Sequence, residues 1–270
     1  RLIYTAGNVP LLALTQRSGI TRWRGSIIPC VPLPDKWVVP ILHPSYILRG
    51  NMEAKHLLLL DIKKGLEFHE GGYKLTAREA ITKPSFAQVL AFLDECLEAG
   101  LNGTPVAYDI EVGGLEVTCI SFAISAMRAI SIPFHYMGGP YFNIDQEIEI
   151  WKRIAVILES PAIRKLGQNL VFDSHFLLRK LGIRVRNIDD TMVAQQIIMT
   201  EFNKGLDFVT SIWTDIPYYK DDGKDWFKGK GSYENFWTYN AMDSMACAAA
   251  FPKQMAELVA QKNVATYERQ

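Results

Sequence analysis

No stretch of this sequence approaches the roughly 20 apolar residues that a membrane helix needs. The longest candidate, His56-Leu57-Leu58-Leu59-Leu60, stops at Asp61. Neither sign of charge is in excess, with 29 Lys+Arg against 29 Asp+Glu, so no global basic field attracts phosphates. Any hold on nucleic acid must come from local groups, and a site that works through bound metal ions is compatible with a neutral total. Cysteine is scarce and scattered: Cys30, Cys96, Cys119 and Cys247 form no C-x-x-C pair and have no histidine at zinc-finger spacing. That pattern argues against a thiolate zinc site or a disulfide framework and points to reduced thiols in a cytosolic protein. No secretory signal, internal repeat or low-complexity tract is present. The chain opens on Arg1 rather than Met, as expected of a processed product or a piece of a longer chain.

What is present is an ordinary globular composition, 49% hydrophobic and 21% charged over 270 residues, enough for one large domain or two modest ones. Residues 1–66 carry Pro29, Pro32, Pro34, Pro40 and Pro44 among short apolar runs, which predicts short strands and irregular loops, followed by a helix over 52–66. The stretch 67–82, with Gly71-Gly72 and mixed charges, reads as a linker. A second unit then runs over 83–270. Phe86, Leu90, Leu93 and Leu97 recur at helical spacing, with Ser85 as N-cap and Gly100 past the end. Three strands are expected at 105–112, 116–124 and 127–134, joined as an antiparallel meander. A helix at 145–159, a strand at 163–167, a helix at 173–181, a strand at 183–188 and a helix from Thr191 follow. That order implies parallel pairing after the antiparallel start, hence an α/β fold with a mixed sheet flanked by helices. The polar, aromatic segment 217–231 reads as an exposed loop, and a last helix is expected over 232–250, broken before Pro252.

Four acidic residues stand out by their settings. Asp109 and Glu111 lie two apart on the first strand of the meander, so alternation puts both carboxylates on one face of the sheet. Two like charges side by side are costly unless something positive joins them, although an edge strand with a polar face toward water gives the same pattern. Asp173 follows Gly167-Gln168-Asn169-Leu170 at a strand–helix junction, where an aspartate also serves as an N-cap. Asp243 sits in the small-residue helix Tyr239-Asn240-Ala241-Met242-Asp243-Ser244, with Tyr239 one turn earlier on the same face. Oxygen-only ligands suit hard cations such as Mg²⁺ or Mn²⁺.

D-x-E on a first strand, G-Q-N-L-x-x-D at a strand–helix junction and Y-x-x-x-D on a later helix, in that order, resemble the three motifs of the DEDDy 3′–5′ exonucleases, with their ribonuclease H-like fold. The closest likeness is to proofreading domains of family A DNA polymerases, and Gly205 to Asp215 looks like phage-type members. This resemblance covers about residues 103–261. It implies two divalent cations, Mg²⁺ or Mn²⁺, one held by Asp109, Glu111 and Asp243 and the second by Asp109 and Asp173. It also implies that Tyr239 orients the attacking water, with Gln168, Asn169 and Asp190 around these groups. The implied partner is a single-stranded or frayed DNA 3′ end. A polymerase domain would lie outside this chain, in a phage-encoded protein of the bacterial cytoplasm. An RNA-trimming member of the superfamily, or a binding module that keeps the fold without the chemistry, are the alternatives.

The first sixty-odd residues carry a weaker likeness. Gly7-Asn8-Val9-Pro10, Gly19-Ile20 and Leu42-His43-Pro44-Ser45-Tyr46 resemble part of a family 4 uracil-DNA glycosylase. The family's water-positioning motif is absent from this chain. Cys30 is the only cysteine of the region against the four that a cluster needs, so no iron–sulfur cluster is expected. His43 and Arg49 here, and Lys220 and Trp226 in the 217–231 segment, are candidate nucleic-acid contacts.

Overall fold

The computed structural model describes residues 2–71 and 75–269, apart from the side chains of Asp222 and Lys224. The chain divides into two units, Arg1–Thr76 with Thr210–Tyr218, and Ala77–Val209 with Tyr219–Gln270.

The first unit runs β1 (Leu2–Ala6), α1 (Asn8–Thr15), α2 (Ile20–Trp23), β2 (Ile28–Pro29), β3 (Trp37–Ile41), α3 (Pro44–Leu48) and α4 (Ala54–His69). Its sheet has the order β1-β3-β2, parallel between β1 and β3 and antiparallel between β2 and β3. Pro40 is tolerated in the middle strand because β2 pairs only with Val38 and Trp37, so no ladder bond is lost beyond them. Helices α1 and α2 depart from the expected loops. Pro10 falls in the first turn of α1, where its missing N–H has no helical partner to lose. Within this unit Arg24 forms a buried two-pronged ion pair with Asp61 at 2.5 and 2.8 Å and donates to the Ser211 hydroxyl at 3.1 Å.

The second unit runs β4 (Glu79–Ile81), α5 (Phe86–Leu101), β5 (Val106–Gly113), β6 (Glu116–Ala123), β7 (Arg128–Pro133), β8 (His135–Tyr136), β9 (Gly139–Pro140), α6 (Ile144–Glu159), β10 (Lys165–Gly167), α7 (Leu170–Leu181), β11 (Ile188–Asp190) and α8 (Thr191–Ile198). It continues through α9 (Leu206–Trp213), whose last residues belong to the first unit, then α10 (Asp221–Phe227), α11 (Tyr233–Ala260) and α12 (Val264–Tyr267). Six strands form one sheet in the order β11-β10-β5-β6-β7-β4. Strands β5, β6 and β7 are antiparallel, while β10 joins β5 and β11 joins β10 in parallel. Helix α5 starts at a capping box in which Ser85 and Gln88 satisfy each other's backbone N–H groups. Its apolar face joins those of α6 and α7 over one side of the sheet, around Val106, Tyr108, Phe122 and Ile130.

Further expectations differ from the structure. The stretch 67–82 is helical to His69 at one end and supplies the parallel edge strand β4 at the other; Gly72, Tyr73 and Lys74 within it lie outside the described residues. Strand β11 covers Ile188–Asp190 rather than 183–188, and α7 begins at Leu170, which puts Asp173 inside its first turn. Segment 217–231 contains α10, whose Trp226 stacks on Phe236 at 4.7 Å. Helix α11 runs through Pro252 to Ala260. An interior proline costs on the order of 3 kcal/mol. Burial of Phe251, Gln254 and Leu258 around it, with Gln254 Nε2 donating to the Thr191 carbonyl at 3.0 Å, holds the helix together.

Candidate active site

Strand β5 alternates Val106, Tyr108 and Ile110 into the core with Asp109 and Glu111 toward the opposite face, where α11 crosses. Small residues on α11, among them Ala241, Ser244 and Ala246, allow that close crossing and are fully buried. Asp243 thereby meets the strand pair. Ligand oxygens of Asp109, Glu111 and Asp243 lie within 4.8 Å of one another, with the first two half-buried and the third buried.

Asn240 fixes this junction. Its amide nitrogen donates to the Asp109 carbonyl at 3.1 Å and to Asp109 Oδ2 at 2.8 Å, while its amide oxygen accepts from Ser131 at 2.8 Å. Ser121, in register between Asp109 and Ser131, donates to the Asn240 carbonyl at 2.8 Å and shares a 2.5 Å hydrogen bond with Ser244. Sequence reasoning did not single out these residues. The available signal was a fully buried-looking asparagine directly after Tyr239 on an alanine-rich helix, since a buried amide needs partners.

Asp173 stands outside that close trio. Strand β10 ends at Gly167, so β5 has no parallel neighbour at Ile110, and Asp173 Oδ1 accepts the free Ile110 N–H at 3.0 Å. Asp173 is therefore tied directly to the backbone between the two acidic residues of β5. Gln168, Asn169 and Asp190 fix the loop that carries it. Asn169 takes a left-handed conformation at φ 59°, and Asp190 accepts the N–H groups of Asn169, Leu170 and Met192 at 2.8–3.0 Å. Gln168 bonds Thr191 and the Lys204 carbonyl.

Two side chains from the segment before α10 also enter the site. The Tyr219 hydroxyl donates to Asp243 Oδ1 at 2.6 Å, and Lys220 Nζ lies 2.6 and 2.5 Å from the two Asp243 oxygens. Lys220 Nζ is also 3.4 Å from the Tyr239 hydroxyl and 4.6 Å from the centre of its ring. Of the other candidate contacts, Trp226 packs among Tyr233 and Phe236. His43 and Arg49 belong to the first unit, where His43 accepts the Ser45 N–H as the cap of α3 and Arg49 is exposed at the helix end.

The crowding of like charges is visible in the proton affinities. Burial, then the neighbouring Asp243 and Glu111 carboxylates, raises Asp109 well above the usual carboxylate range. Burial and Asp243 push Glu111 up to about 8, and burial pushes Asp173 up to about 7 against the opposing Ile110 hydrogen bond. Tyr239 is raised far above its ordinary value by burial and then by Asp243, so its phenol stays protonated at neutral pH. An all-oxygen donor set with more negative charge than the one ammonium can balance fits a divalent hard cation.

Solved structures share this architecture. The Trypanosoma brucei RRP6 catalytic core is 12% identical with a TM-score of 0.53, over 73% of this chain and 52% of that one. The Aedes aegypti Nibbler EXO domain is 15% identical with a TM-score of 0.51, over 70% and 93%. The apo form of another nuclease is 16% identical with a TM-score of 0.52, over 73% and 88%. These likenesses bear on the fold, which is the ribonuclease H-like exonuclease fold. No curated protein matches the sequence. Residues 86–258, which include every strand of the six-stranded sheet but β4, the four carboxylates and Tyr239, match the family model described as 3′-5′ exonuclease (DNA_pol_A_exo1), and the chain belongs to that family.

Proposed function

We propose that this exonuclease removes nucleotides from DNA 3′ ends with the help of two divalent cations, as the proofreading part of a DNA polymerase. The observation that carries the reading is the meeting of Asp109, Glu111 and Asp243 within 4.8 Å, beside the protonated hydroxyl of Tyr239. In this reading Asp109, Glu111 and Asp243 hold one ion, and Asp109 with Asp173 holds the second. The bound ions supply the Lewis acidity that makes water nucleophilic at neutral pH and neutralises a departing oxygen. Tyr239 aims the water by a hydrogen bond rather than acting as a base, because its pKa is raised away from neutrality. Asn240 keeps Asp109 from rotating away when its charge is unbalanced. The water oxygen bonds to the terminal phosphorus as the bond from phosphorus to the 3′ oxygen breaks. A nucleoside 5′-monophosphate is released, and the shortened strand keeps a 3′ hydroxyl.

Support for DNA and for a polymerase context comes from the polymerase family in whose name the matching model stands, and from the phage-type likeness of Gly205 to Asp215. The test is digestion of 5′-labelled single strands, duplexes and frayed duplexes, in DNA and in RNA, with Mg²⁺, Mn²⁺ or excess EDTA. A ladder from the 3′ end of single-stranded and frayed DNA that vanishes in EDTA is expected. Full activity in chelator would reject the metal reading, and a strong preference for RNA would move the chain to RNA trimming.

A further inference from the structure

Lys220 is not one of the motif residues, yet its ammonium sits directly on the carboxylate of Asp243. Its side chain is 12% exposed and that of Asp243 is 6% exposed, so the pair is largely withdrawn from water. Its ammonium contacts both oxygens of Asp243, one of which also accepts from Tyr219. The approach is built into the segment. The ammonium lies near the Tyr239 ring, and Gly223 packs on that ring so closely that a Cβ there would stand 2.8 Å from it. A larger residue at 223 would push the segment, and Lys220 with it, away from Asp243.

A divalent ion ligated by Asp243 would need the same oxygens. With metal–oxygen distances of about 2.1 Å, a metal and an ammonium sharing one carboxylate oxygen are held within roughly 5 Å and repel in a poorly hydrated site. We propose that Lys220 is an internal counter-cation that neutralises Asp243 in the metal-free protein and must leave it when a divalent ion binds, so that this lysine sets the metal affinity of the site. The inference rests on the reading that Asp109, Glu111 and Asp243 ligate such an ion. The lysine weakens metal binding while sparing the empty site an unbalanced cluster of carboxylates.

The test is Mn²⁺ affinity, read by electron paramagnetic resonance or calorimetry, on the parent and on Lys220→Met, Lys220→Arg and, as an exposed control on the same segment, Lys228→Met. Lys220→Met should bind Mn²⁺ at least ~10-fold more tightly, because it removes both the repulsion and the competitor. Lys220→Arg should stay within about 3-fold of the parent because it keeps the charge, and Lys228→Met should match it. A merely structural lysine would give the opposite sign, since loosening Asp243 lowers affinity. Unchanged or weaker binding by Lys220→Met, or tight binding by Lys220→Arg, would overturn the inference while leaving the metal site standing. Absence of Mn²⁺ binding in both the parent and Lys220→Met would overturn the metal reading itself, and this inference with it.

Discussion

Glu111→Gln should stabilise the metal-free protein while removing its activity. Glu111 is pushed up to about 8 by burial and by Asp243, against an ordinary value of 4.5. Between those two values the folded state holds a proton that the unfolded chain has released. The folded state therefore binds more protons, and stability falls as pH rises through this window. Each pH unit costs about 1.4 kcal/mol, so going from about pH 5 to about pH 7 removes roughly 3 kcal/mol. For a unit of this size that is a fall in Tm of roughly 5–10 °C. Asp173, pushed up to about 7, and Asp109 act in the same direction, so the parent should be steeper than Glu111 alone requires. Glutamine has nothing to titrate and also relieves Asp109. The assay is thermal unfolding in EDTA across this range for parent and variant, repeated in saturating Mn²⁺. The parent's Tm should fall with pH in EDTA, the variant's should fall less, and metal should flatten the parent's curve by supplying the missing positive charge. A parent curve that is flat or rising in EDTA, or equal slopes for the two proteins, would refute the reasoning.

Other expectations concern single side chains. Asp243→Ala should lower single-turnover rates by more than ~10³-fold and abolish tight Mn²⁺ binding, whereas Tyr239→Phe should lose only ~10- to 100-fold in rate with metal affinity intact. Equal damage from the two would remove Tyr239 from its water-orienting role. Asn240→Ala leaves Asp109 and Ser131 without their shared partner and should destabilise the fold by about 1–3 kcal/mol in denaturant unfolding, with weaker Mn²⁺ binding. Wild-type Mn²⁺ affinity in that variant would show that Asp109 is held by other means. Gly223→Ala forces a Cβ to within 2.8 Å of the Tyr239 ring and should slow turnover while tightening Mn²⁺ binding, because it moves Lys220 off Asp243; an unaltered rate and affinity would mean that the ring can yield freely. In the first unit, Asp61→Ala removes the carboxylate that faces the buried Arg24 guanidinium and should cost about 3–5 kcal/mol, measured by loss of protection from proteolysis in that unit.

The local signals in the sequence were sufficient for much of the second unit. Helix α5 was legible from four apolar residues at helical spacing and a capping serine. The meander was legible from three apolar runs with turns between them, because each of these features is decided within one turn or one strand. Alternation along β5 put Asp109 and Glu111 on one face, and helical spacing put Tyr239 and Asp243 on another, before any packing was known. That α11 lays those two faces together is a tertiary fact, made by small buried residues and by Asn240, which reaches Asp109 across 131 positions of sequence. Likewise Asp173 reads locally as a cap, and only the early end of β10 gives it the Ile110 N–H. Pro252 reads as a helix end, and only burial on both sides carries α11 past it. The 217–231 segment is polar enough to read as a solvated loop. Its helix and its lysine in the carboxylate cluster follow from contacts with Tyr239 and Asp243, which no periodicity within the segment encodes.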